Sequence, residues 1–204
     1  MPDRELAPTR IALLELGEER ATAREGYALL DEKRMMLAAR MLTLLARHAA
    51  DCGRWRAALG DAEAALVAAF DRHGVRDLEQ RPRGDCGQAL AVHEERLLGV
   101  RVPTLAVTPA PADRPAAVVD DSPEAQRAAA AFRELLARAP ALAALECALW
   151  RLADEYRRTE RRAGAIEHLL LPELERDIAA IDGALEAIDQ EEAQRVRRAR
   201  RGPH

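Results

Sequence analysis

Two long tracts of this chain carry apolar residues on one helical stripe, and each has to find something to bury that stripe against. In the first, Leu16, Ala23, Tyr27, Leu30, Leu37, Met41, Leu44, Cys52, Trp55, Leu59, Ala62 and Leu66 recur at threes, fours or sums of them. Arg20, Arg34 and His48 fall in the gaps of the stripe. In the second, Leu145, Leu149, Leu152, Tyr156, Thr159, Ala163, Ile166 and Leu170 alternate fours and threes. Such spacing is the seam of a coiled coil, and neither stripe can be buried by its own helix. The stretch between them is too short to be a separating domain. The expectation is an all-α-dominated fold, a long antiparallel pair formed by the N- and C-terminal helices with a small head at one end.

Composition agrees. The 204 residues are 49% hydrophobic but only 3% aromatic, with 32% charged. Alanine supplies much of that hydrophobic count, and Ala, Glu, Leu and Arg together are the mark of long helices. The net charge of −4 argues against a polyanion binder.

Boundaries follow from local signals. Residues 1–8 read as an irregular lead-in, and Thr9 is a helix N-cap. The first helix is expected over 9–72, a rod of roughly 95 Å, stopped at His73-Gly74 with the glycine in a left-handed cap. Residues 73–122 form the head, with a β-hairpin pairing 89–94 with 100–107, interruptions at Gly99 and Pro103, and a proline-rich linker. Ser122-Pro123 opens a shorter helix over 123–140, which Pro140 ends or kinks. The C-terminal helix is expected over 141–200, followed by a tail at 201–204. Within it the stripe steps 170, 174, 178 before resuming 181, 185, 188. That run of fours is a stutter that locally unwinds a supercoil, and Pro172 sits inside it.

Chemistry-bearing motifs are absent. There is no phosphate loop, no H-E-x-x-H, no C-x-x-C and no paired carboxylates set apart from the charged faces. His48 and Cys52 are four apart but have no further ligands, and zinc needs three or four, so no metal or cofactor is expected. The RGD at 83–85 reads as coincidence. Cys52, Cys86 and Cys147 suit a reducing, cytoplasmic compartment. No apolar run reaches the roughly 20 residues of a membrane span. The tail RVRRARR (195–201) reads first as a basic cap on a helix C-terminus. Docking to an acidic protein surface and a grip on nucleic acid are its other readings, and nucleic acid lacks the aromatic residues or second basic face it would need.

Three blocks together resemble the D subunit of the V-type and archaeal-type rotary ATPases. They are PTRIALLELGEERATAREGYALLDEKR (8–34), LLGVRVPTL (97–105) and TERRAGAIEHLLLPELERDIAAI (159–181). The last carries Thr159, Arg161, Arg162, Ala165, Glu167, Pro172 and Leu174 of the family pattern. The chain departs from it at Gly164, where the family has asparagine, in the linker 107–125, and in a tail without the family's phenylalanine and R-L-K ending. The resemblance implies a non-catalytic central rotor shaft that couples ATP hydrolysis or synthesis to movement of protons or sodium ions. It implies contact with the A and B subunits of the catalytic hexamer, with the F subunit, and with the stalk subunit above the membrane ring. The contact residues it points to are Thr9, Arg10, Val100, Arg101, Val102, Arg161, Arg162, Glu167, Arg195 and Arg198. The bend implied at 166–178 would break the symmetry of such a shaft. A prefoldin-like helical-hairpin chaperone and a generic coiled-coil tether are the competing readings; an arginine-rich tip speaks against the first.

Overall fold

The computed structural model describes residues 7–80, 88–109 and 122–200. Residues 1–6, Cys86, the RGD, most of the proline-rich linker and the 201–204 tail lie outside the described residues. In chain order the elements are helix α1 (Arg10–Gln80), strands β1 (Gln88–Leu97) and β2 (Val100–Pro109), helix α2 (Pro123–Ala165), a π-helical turn (Ile166–Leu170) and helix α3 (Leu171–Arg200). The chain is helix-dominated, with one two-stranded antiparallel hairpin between the long helices among the described residues.

Its described residues fold as two compact units, one of residues 7–36 with 156–200 and the other of those between 37 and 155. In the first, the start of α1 lies antiparallel to α3. Leu16, Ala23, Leu174 and Ile181 are buried together, flanked by Ala12, Leu13, Ile166, Leu170, Leu171, Ile178 and Leu185. Each buried leucine or isoleucine contributes about 1.5–3 kcal/mol. Ion pairs Arg24–Glu175 (2.9 Å) and Arg10–Asp189 (3.6 Å) run along the exposed flank of the seam. Exposed as they are, such pairs set register more than stability.

In the second unit the rest of α1 packs antiparallel on α2. Leu37 and Leu152 are fully buried, and Leu44, Leu135 and Leu145 are buried with Ala62, Ala69, Ala128, Ala144 and Ala148. Small side chains let helix axes approach closely, so an aromatic-poor chain still closes its core. Nearly every residue of both sequence stripes is buried or half-buried; Ile188, at the far end, is 43% exposed.

The punctuation differs from expectation in three places. Gly74 does break α1, but with φ 74° and ψ 158°. That is an extended conformation open almost only to glycine rather than a left-handed cap, and helix resumes after it. Pro140 lies inside α2, which continues through it. The proline removes the donor for the carbonyl of Leu136, a residue that is 49% exposed. The hairpin is longer and tighter than its sequence suggests: Leu97 pairs with Val100 across a two-residue turn. Leu98 (φ 51°) and Gly99 (φ 83°) both have positive φ, the type I′ geometry that matches strand twist. Pro103 stays within β2 because, counting from the turn, its pair with Glu94 is a non-hydrogen-bonded one and needs no donor.

Candidate functional site

No cleft gathers the ten residues that the resemblance selects; they fall at separate places along the elements. Thr9 caps α1, its Oγ1 accepting the Ala12 amide at 3.1 Å and its carbonyl accepting the Leu13 amide at 3.1 Å. Arg10 follows it, exposed and paired with Asp189. Arg161 and Arg162 stand exposed near the end of α2. Arg195 reaches Glu191 at 3.4 Å, one turn back, and Arg198 is exposed near the helix end. Beyond Asp189 every described residue of α3 is exposed. This run ends in Arg197, Arg198 and Arg200, where cations meet the negative pole of the helix.

Glu167 lies in the π turn, which is the physical form of the sequence stutter. The Leu171 amide bonds back to the Ile166 carbonyl, five residues away, so one residue more than an α-turn is accommodated. Pro172, directly after, has no amide to offer an α-helical bond. Across the seam Gly26 faces Ile166: a Cβ there would sit 4.0 Å from the isoleucine Cδ1. Beside it the Tyr27 hydroxyl hydrogen-bonds Glu167. Burial, then the charges of Glu167 and Asp31, push the Tyr27 hydroxyl above its usual range, with Arg34 opposing. His168, next in sequence, lies 3.7 Å from Glu167, and only the antiparallel pairing brings Tyr27 to it.

Val100, Arg101 and Val102 begin β2. Val102 is buried, Val100 half-buried beside the turn, and Arg101 exposed, 3.9 Å from Glu94. Arg151 of α2 clamps this end of the hairpin. Its Nη1 donates to the Arg101 carbonyl at 2.7 Å and lies 3.4 Å from Glu94. Nothing in the sequence flags Arg151, because its role depends on where the hairpin lands.

A second unforeseen node joins the end of α1 to the start of α2. His73 Nε2 and Ser122 Oγ share a 2.5 Å hydrogen bond, and His73 Nδ1 is 3.3 Å from Asp77 on the far side of the Gly74 break. The residue types are those of a hydrolytic triad, yet the serine is occupied otherwise. It is 8% exposed, and its Oγ accepts the Ala125 amide at 3.2 Å as the N-cap of α2. Glu124, next along, is held below the usual carboxylate range, first by its own backbone amide and then by Arg72, Arg127 and Ser122 against an opposing desolvation effect. This is a joint, built to orient helices rather than to attack a carbonyl.

His48 Nε2 lies 3.9 Å from Cys52 Sγ, a contact between neighbours on one helix face. Among the described residues no three or more His, Cys, Asp or Glu side chains come together as metal ligands. Among the same residues no helix is long and apolar enough to cross a membrane.

Comparison with known proteins places this chain in a family. Residues 12–201 match the profile of the family described as the D subunit of ATP synthase. The chain is 35% identical over 202 residues to the V-type ATP synthase D subunit of Anaeromyxobacter dehalogenans strain 2CP-1, covering 95% of each. It is 30% identical over 195 residues to the A-type ATP synthase D subunit of Pyrococcus furiosus, covering 94% of this chain and 91% of the relative. The V-type ATP synthase D subunit of Thermotoga neapolitana is similar at 26% identity over 194 residues, covering 95% of this chain and 96% of the relative.

Proposed function

Because this chain belongs to the ATP synthase D-subunit family, we propose that it is the central rotor shaft of a V/A-type ATPase or ATP synthase. It would carry rotation between a catalytic hexamer of A and B subunits and the membrane ring. The F subunit and the stalk subunit would be its partners toward the ring, on the cytoplasmic side of the membrane. It would do no chemistry itself. The observation that carries this reading is the buried seam joining residues 7–36 to 156–200, whose outer surface interleaves arginine with acid. A shaft needs stiffness from such a seam and a surface that does not adhere at one angle. It couples to the surrounding sites only by contacting their nucleotide states unequally.

Within that reading Arg161, Arg162, Arg195 and Arg198 are the exposed candidates for contact with the hexamer. The π turn followed by Pro172 is proposed to supply the asymmetry, since π turns and prolines are where long helices bend. Omitting this chain from a reconstituted complex should leave ATP hydrolysis by the A and B subunits but abolish ion pumping, and adding it back should restore pumping. Coupled pumping in its complete absence would refute the shaft. A Pro172→Ala shaft that delivered unchanged torque and pumping would remove the bend from the mechanism while leaving the shaft.

A further inference from the structure

The last stretch of α3, residues 190–200, is helical and exposed at every position. Glu192 is the final acidic side chain of the sequence, and Arg195, Arg197, Arg198 and Arg200 follow it. At about 100° per residue these four side chains leave the helix in four directions, with no gap between neighbours wider than about 140°. The tip is thus cationic all the way round, unlike the seam below it, where arginine and acid are interleaved.

Local stability does not account for this pattern. Arg195 with Arg198, and Arg197 with Arg200, are like charges three apart on one helix, which repel. The helix dipole favours cations in the last turn, where Arg197, Arg198 and Arg200 lie, but not in every direction around it. Among the described residues only Arg195 of the four has a carboxylate partner, Glu191 at 3.4 Å. A membrane surface would require an apolar face, and Val196 is the only large apolar residue between 190 and 200. A nucleic acid would be met by a basic stripe on one face, and the whole chain carries a net charge of −4 that opposes it.

We propose that this tip turns inside a collar of aspartate and glutamate side chains on the inner surface of the A and B hexamer. The proposal deepens the rotor reading and rests on it. Charge complementarity names the acids, and the distribution of arginines around the helix names a partner that encloses it rather than one that lies along one side. A tip with cations in every direction meets the same acids at every angle, so the collar centres the shaft without favouring an orientation. The unequal contacts that couple rotation to nucleotide state then belong elsewhere on the shaft.

Binding of the full-length chain to the hexamer of its own A and B subunits, measured against potassium chloride concentration, tests the collar. The parent should lose affinity about tenfold as salt rises from about 50 to about 200 mM. Arg195→Gln, Arg197→Gln, Arg198→Gln and Arg200→Gln combined keep helix propensity, and should weaken binding about tenfold at the low salt and flatten its salt dependence. Lysine at the same four positions should restore most of both. Made singly, the four glutamine variants should lose similar shares, within about twofold of one another. A loss carried by one arginine alone means a one-sided contact and overturns the collar. Unchanged affinity and salt dependence in the combined glutamine variant overturn it too, and leave the shaft standing where that variant still restores ion pumping. A parent chain that restores no pumping refutes the shaft and the collar together. Nucleic acid that competes with the hexamer for the parent's tip would also overturn an acidic protein partner.

Discussion

In the unit that joins residues 10–36 to 156–200, the buried seam is Leu16, Leu174 and Ile181, ringed by further leucines and isoleucines. In the unit of residues 37–155 the buried positions include Ala62, Ala69, Ala128, Ala144 and Ala148, with Leu37 and Leu152 as the two fully buried large side chains. The first is held by flexible apolar side chains in a regular repeat. The second uses close helix approach plus particular polar ties, His73 to Ser122, Arg72 to Glu124, Arg151 to the hairpin carbonyl. A repeating seam can extend to any length, whereas the hairpin and helix joints need one-off contacts to fix where each piece lands.

The widest separation between the units should come from cavities. Leu152→Ala removes one of the two fully buried large side chains, so its cost should sit high in the range of about 2–5 kcal/mol. Leu174→Ala is surrounded by leucines and isoleucines that can shift rotamer, and should sit low in the same range. The chain labels its own units: both tryptophans, Trp55 and Trp150, lie in 37–155, and both tyrosines, Tyr27 and Tyr156, in the other. Denaturant unfolding followed by tryptophan fluorescence should move chiefly for Leu152→Ala, and tyrosine absorbance chiefly for Leu174→Ala. Equal shifts of both signals with either variant would mean one cooperative body and would break the comparison.

The joints should respond next. Ser122→Ala deletes the N-cap of α2 and the hydroxyl that His73 shares, at a cost of about 1 kcal/mol or somewhat more, read in the tryptophan signal. No change would show that the node is incidental. Leu98→Asn should act the other way. Leu98 holds φ 51° in a type I′ turn, a conformation that asparagine tolerates far better than leucine, so the variant should gain roughly 0.5–1 kcal/mol in the same assay. A loss would place the turn under some constraint other than its backbone.

The same contrast explains what is legible in the sequence. The seam residues can be read directly, because a 3-4 repeat states which face is buried whatever it packs on; Thr159, a polar residue placed in the stripe by spacing alone, is 2% exposed. The stutter at 170–178 is legible as an irregularity, though not as a π turn beginning four residues earlier. Helix stops are less so, since Gly74 and Pro140 have local preferences that packing resolves differently. The hairpin turn is hidden because Leu98 is a poor residue for positive φ and carries no turn signal. Arg151 meets the hairpin across 50 residues of chain, and His73 meets Ser122 across 49; no local pattern encodes such meetings. The contact residues selected by resemblance can be located but not gathered into a site, because they lie on separate elements.

The smallest effect tests whether the leucine seam, too, carries a specific tie. Tyr27 faces Glu167 in the π turn, and burial with that carboxylate keeps its hydroxyl protonated beyond the ordinary range. The sign is fixed by linkage: the unfolded chain gives up this proton near the ordinary value of about 10, the folded chain only above it. Stability from Tyr27 is thus whole below that pH and lost as pH rises through the folded value. Tyr27→Phe should unfold less steeply with alkaline pH than the parent, while behaving almost like it at neutral pH. If the alkaline slope is unchanged, the Tyr27–Glu167 contact contributes nothing to the stability of the seam.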